Sequence, residues 1–118
     1  AMPEAESLAA ANKRIRNILK QTDESIPEAV TAEQLVEPAE RALYQQLSAL
    51  GNEVTPLFDK GDYTPAMQRL AGLRDAVDYF FDKVMVMTDD GGLRRNRLAL
   101  LAQLNGLFLR TADFSRLQ

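Results

Sequence analysis

The sequence contains neither cysteine nor histidine. Their absence removes disulfide frameworks, thiolate nucleophiles, zinc fingers, serine–histidine triads and the Glu-x-x-His pairs of di-iron bundles. No apolar run approaches the ~18 residues that span a bilayer, and no signal peptide opens the chain. The expectation is a cytoplasmic protein with no membrane contact. Alternation of period two is missing over any useful length, and no unit of roughly 20–50 residues recurs. Sheet and repeat architectures are thereby set aside.

What is present is the composition of one globular domain. The chain has 118 residues, 46% apolar and 26% charged, enough to withdraw roughly two-thirds of its unfolded surface from water. The net charge of −3 is unevenly spread. Residues 1–21 hold four basic and two acidic groups and residues 91–118 five and one, whereas residues 22–62 hold two and nine. Both ends are basic and the middle is acidic. If the fold joins the first and last helices, their side is positive although the whole is not.

Four helical stretches are expected. The first runs from about Pro3 to Lys20, with Leu8, Ala11, Ile15, Ile18 and Leu19 at helical spacing. A polar segment follows to Glu37, with Ile26, Val30, Leu35 and Val36 as docking points. Glu37-Pro38 marks a helix start, and Leu43, Leu47, Leu50, Val54 and Leu57 give that helix an apolar face. Pro56 should bend or end it, and Lys60-Gly61 closes it. Thr64-Pro65 opens the third stretch, with a stripe through Ala66, Leu70, Leu73, Val77, Phe80, Phe81 and Val84. The Val84–Met87 run, apolar all round, is expected to be buried. Gly91-Gly92 follows as a breaker with an aspartate before it as cap. A wide apolar stripe from Leu93 to Leu109 then indicates a central helix, with Thr111 ending it and Phe114 and Leu117 docking one further turn. The fold class is all-α, a single bundle of four to five helices.

Three features bear on function. Lys13, Arg16 and Lys20 share one flank of the first helix, bordered by Asn12, Arg14 and Asn17, and no acidic residue falls between Asn12 and Gln21. Cations one turn apart lie about 5–6 Å from each other, so such a face can follow a phosphate backbone; equally, it is an ordinary solvated face. In Arg94-Arg95-Asn96-Arg97 three arginines oppose the helix dipole. Arg97 leans inward and should answer a carboxylate, with Asp78 or Asp82 as candidates, while Arg95 points outward as the better ligand contact. Gly91-Gly92 at a helix start offers a phosphate seat, which Asp89 and Asp90 oppose. Tyr79 lies off the apolar stripe and should be partly exposed, as a stacking platform or against the 22–37 segment. Asp78, Asp82, Asp89 and Asp90 would be the only basis for magnesium, and no nucleophile or general base accompanies them.

The strings Ala11-Asn12-Lys13-Arg14-Ile15-Arg16-Asn17-Ile18-Leu19, Phe80-Phe81-Asp82-Lys83-Val84-Met85-Val86-Met87, Leu93-Arg94-Arg95-Asn96-Arg97-Leu98 and Ala112-Asp113-Phe114-Ser115-Arg116-Leu117-Gln118 occur in this order. Together they resemble the C-terminal domain of bacterial glycyl-tRNA synthetase β subunits, from about Ser7 to Gln118. That domain is similar to the helical, DALR-like anticodon-binding domain of arginyl-tRNA synthetase, whose first helix carries an Ala-x-Ala-Arg-Ile pattern; here Arg14 and Ile15 align and Lys13 replaces the second alanine. Residues 1–6 read as a linker or cloning remnant and residues 7–118 as the domain. The resemblance implies a non-catalytic module that binds the anticodon loop of glycine tRNA. Asn12, Lys13, Arg14, Arg16, Asn17, Lys20, Arg95 and Asn96 are its candidate contacts, the cations for phosphates and the asparagines for base edges. It also implies the rest of the β subunit and the α subunit as partners. No cofactor is expected in this fragment, ATP and magnesium being implied for the parent enzyme. The alternative is a helical docking module that holds synthetase subunits together without touching RNA.

Overall fold

A computed structural model of the chain describes the backbone of residues 3–22 and 24–116, and the side chains of residues 10–22 and 24–109. Five α-helices and one 3-10 turn occur among the described residues: α1 (Pro3–Gln21), the turn Ala32–Gln34, α2 (Pro38–Lys60), α3 (Tyr63–Ala71), α4 (Arg74–Lys83) and α5 (Gly91–Arg116). The fold is all-α. At about 1.5 Å per residue, the 26 residues of α5 measure roughly 39 Å, close to the 43 Å long axis of the molecule. α2 packs on α3 and α4, and α1 lies against α5 and α3. Ile15, Leu43, Leu70, Leu73, Phe80, Leu98, Leu101 and Leu104 are fully withdrawn from solvent at their centre.

The punctuation of the sequence accounts for most boundaries. Pro38 opens α2 where its missing N–H costs nothing. Gly61 closes it in the left-handed region (φ 80, ψ 14), with Asp62 N–H donating to the Leu57 carbonyl at 2.8 Å. Asp90 Oδ1 accepts the Leu93 N–H at 3.1 Å and so caps α5.

Several expectations are corrected. Pro56 does not end α2, which continues to Lys60; the ring faces solvent, and beside it the Thr55 hydroxyl donates to the Gly51 carbonyl at 2.7 Å. The third stretch is two helices, broken at Gly72-Leu73, and it begins at Tyr63 with no side-chain cap from its N-cap residue, Asp62. Thr111 does not interrupt α5; the docking of Phe114 and Leu117 lies outside the described side chains. The Val84–Met87 run leaves the helix at Val84, which is extended (φ −120, ψ 126), and turns at Val86-Met87; Val84 and Val86 are buried while Met85 and Met87 are 71% and 50% exposed. In the 22–37 segment Leu35 is buried and Ile26 and Val30 pack on the core, but Val36 faces solvent.

One polar contact lies within this core. Glu40 and Arg97 are both buried, and Arg97 Nη2 donates to Glu40 Oε1 at 3.1 Å. The same oxygen accepts the Glu37 N–H at 3.1 Å, at the start of α2. Arg97 Nη1 donates to the Met85 carbonyl at 2.7 Å. Arg97 is therefore structural, as its inward lean suggests, but its partner is Glu40. Asp78 and Asp82 are exposed, 100° or more from the α4 stripe on a helical projection, and Asp78 pairs with Arg74 at 3.7 Å. Removing one member of a buried pair strands the other charge, so Arg97→Met should cost about 3–5 kcal/mol in chemical denaturation. The double variant Glu40→Gln with Arg97→Met strands no charge and keeps an acceptor for the Glu37 amide; it should recover much of that loss. Equal destabilisation of the two would show that the pair does not act as a unit.

Candidate nucleic-acid interface

Ile15 is fully buried and Ala11, Ile18 and Leu19 are half-buried, which fixes the rotation of α1. The opposite side then faces solvent. Lys13, Arg16, Asn17 and Lys20 are all exposed, and none of the three cations meets a carboxylate among the described residues. Lys13, Arg16 and Lys20 follow one another at one-turn intervals, about 5–6 Å apart.

The remaining candidates fall elsewhere. Arg14 sits on the other edge of α1, its guanidinium 4.0 Å from the centre of the Phe81 ring. Asn12 is half-buried, and its Oδ1 is shut from solvent without a hydrogen-bond partner. Arg95 is half-exposed and lies 3.6 Å from Glu24, so part of its charge is already answered. Asn96 is buried: its Oδ1 accepts the Thr31 N–H at 2.7 Å and its Nδ2 donates to the Thr31 carbonyl at 3.1 Å. Both ends of the amide are spent on holding the 22–37 segment. The structure thus brings Lys13, Arg16, Asn17 and Lys20 together and leaves Arg95 and Asn96 at the start of α5.

The same start of α5 holds the segment by charge. Arg94 donates to Glu24 through Nε (2.6 Å) and Nη2 (2.8 Å), and through Nη1 to the Thr88 carbonyl at 2.8 Å. The hydrogen bonds from Arg94 hold the Glu24 carboxyl below its ordinary value, and the same bonds raise Arg94. Three arginines against a helix dipole are thereby resolved: Glu24 answers Arg94 and Arg95, and Glu40 answers Arg97.

Other candidates carry less. Tyr79 is exposed, in keeping with its place off the apolar stripe. Asp90 caps its own helix. Among the described residues no group of three acidic side chains is placed to hold a metal ion, and no helix is long and apolar enough to cross a membrane. One residue absent from the sequence reading belongs here: Asn105 of α5, which lines a recess with Arg16, Leu19 and Lys20. Its signal was a lone amide beside Leu101, Leu104 and Phe108 on the central helix.

An all-α domain with an unpaired cationic helix face has the general form of a polyanion-binding module. The chain belongs to the DALR anticodon-binding domain family, whose pattern matches residues 8–111. It is 54% identical over 114 residues to the glycine–tRNA ligase beta subunit of Tolumonas auensis, covering 97% of this chain and 16% of that one. It is 56% identical over 117 residues to the subunit of the same name in Ralstonia nicotianae, covering 99% and 17%. The chain thus spans about one-sixth of the length of these relatives. tRNA anticodon binding is the function class of the domain.

The clamp on the 22–37 segment is acid-sensitive. The folded Glu24 carboxyl holds its proton less tightly than the unfolded one, so between the two values the unfolded chain binds more protons. The stabilisation is complete above the ordinary value of 4.5 and disappears as pH falls through the lowered one. Amide exchange at residues 31–36, normalised for intrinsic rate, should accelerate below pH 4.5 in the native chain. In Glu24→Gln it should be faster at neutral pH and lack that acid step; an unchanged profile would exclude Glu24 as the clamp.

Proposed function

We propose that this domain binds the anticodon loop of glycine tRNA on behalf of a glycine–tRNA ligase, and that the exposed face of α1 is the surface it uses. The observation that carries this reading is the run of cations, Lys13, Arg16 and Lys20, exposed and without carboxylate partners among the described residues. Anticodon loops are single-stranded, with closely spaced phosphates and splayed bases, and are held by cations together with stacking and edge contacts. Lys13, Arg16 and Lys20 take phosphates, the exposed Asn17 lies among them for a base edge, the half-buried Asn12 stands one turn before Arg16, and Arg14 and Arg95 extend the positive field. Asn96, spent on Thr31, is left out of the contact set.

The mechanism is positional. Holding the anticodon end sets the distant acceptor end for a reaction performed elsewhere in the ligase and rejects tRNAs with other loops. ATP, magnesium and glycine are handled outside these 118 residues, the α subunit and the rest of the β subunit are the protein partners, and the setting is the cytoplasm. The relatives' name and the share of their length that matches support this division of labour.

A docking module that touches no RNA would draw on another surface, the exposed Met85, Met87 and Val36 around the Glu40–Arg97 pair. The two readings separate in one titration. An isolated glycine anticodon stem-loop should saturate the domain and bind more tightly than one with exchanged anticodon bases. Lys13→Ala and Arg16→Ala should each weaken binding and reduce the slope of log K against log salt by about 0.7. Binding unchanged in both variants would move the interface off α1; no saturation, with assembly lost on deleting the domain, would favour docking.

A further inference from the structure

Resting on that reading, we propose that the recess between α1 and α5 is a subsite for one nucleotide, and that Asn105 reads its base. The recess has a volume of about 210 Å³ and is lined by Arg16, Leu19, Lys20 and Asn105. That is below the ~300–1,000 Å³ of pockets that engulf a whole small molecule. It suits one flat group entering from the surface. The lining supplies what an unpaired nucleotide needs: an apolar side from Leu19 against the base, the cations Arg16 and Lys20 for its phosphate, and an amide.

The amide carries the argument. Asn105 Oδ1 is shut from solvent with no hydrogen-bond partner, and no side-chain bond engages its Nδ2 among the described residues. A buried acceptor without a partner costs roughly 1–3 kcal/mol. An apolar residue would suit the fold better at this position of α5. Asn96, one face away on the same helix, shows the contrast, with both amide atoms paired to Thr31. An amide whose buried oxygen has no partner, beside two cations without carboxylate partners among the described residues, is arranged for a ligand that brings a donor and an acceptor side by side. A base edge does so. A modest χ2 rotation swings Oδ1 toward the recess as the base enters, and the edge then takes up both amide atoms.

The test uses the whole 118-residue chain, a glycine anticodon stem-loop, and a set of loops with each base exchanged in turn. Asn105→Ala should weaken the cognate loop about 5- to 100-fold and bring the preference at one loop position close to one, leaving the preferences elsewhere intact. Lys20→Ala should weaken all loops by a common factor and leave every preference unchanged. Asn105→Ala should also melt at the same temperature as the native chain or higher, because the unpaired acceptor is gone. A melting point lower by several degrees, or full retention of every base preference, would overturn the subsite while leaving anticodon binding standing. Failure of the native chain to bind any loop would overturn the anticodon reading, and the subsite with it.

Discussion

The fold turns on a single buried ion pair. Glu40 and Arg97 lie among leucines where neither charge is tolerable alone, so the start of α2 and the start of α5 must meet at one register. The contact is economical in atoms. Glu40 Oε1 satisfies the first turn of α2 and receives Arg97, while the other arm of Arg97 fixes the extended connection at Met85. Glu40 Oε2 and Arg97 Nε have no partner. A pair so incompletely bonded is a poor source of net stability. Its effect is to define which ends of which helices are adjacent, and the clamp of the 22–37 segment on α5 is built beside it.

That clamp explains why the cationic surface belongs to α1 and not to both basic ends of the chain. The acidic middle segment answers the arginines at the start of α5, Glu24 with Arg94 and Arg95, Glu40 with Arg97. α1 receives no such partners among the described residues. Among the described side chains the charges therefore divide: the arginines at the start of α5 are answered within the fold, and the exposed cations of α1 are not. A net charge of −3 does not contradict this. At physiological salt, charges more than about 8 Å apart are largely screened, so a phosphate at α1 responds to the local strip.

Much of this was legible in the residues. Pro38, Gly61 and Asp90 mark helix ends by their own chemistry, and the rotation of α1 follows from Ile15, Ile18 and Leu19. The break between α3 and α4 was hidden because Ala66, Leu70, Leu73, Val77, Phe80 and Val84 keep alternating four- and three-residue steps across it. The core sees one continuous stripe while the backbone changes direction at Gly72. The partner of Arg97 is legible in the same terms: Glu40 stands in register with Leu43 and Leu47, just as Arg97 stands in register with Leu101 and Leu104. Two opposite charges, each set into an apolar stripe, specify each other better than proximity in sequence does. Asn96 and Asn105 were not separable, because what an amide does depends on what the fold brings against it.

Those two asparagines also show how a fold of this size divides its polar groups. Where the chain holds itself, Glu24 and Thr31 are paired, and the Glu40–Arg97 contact leaves Glu40 Oε2 and Arg97 Nε without partners in the core. Along the seam of α1 and α5, Asn12 Oδ1 and Asn105 Oδ1 lack partners in the same neighbourhood where Arg16 and Lys20 lack counter-ions. A buried acceptor without a partner is a cost that selection for stability alone would remove, whereas an exposed cation without a counter-ion is hydrated at little cost. Their coincidence on one seam has a single explanation if both are completed by the same molecule, one that carries phosphate charge and base-edge hydrogen bonds together.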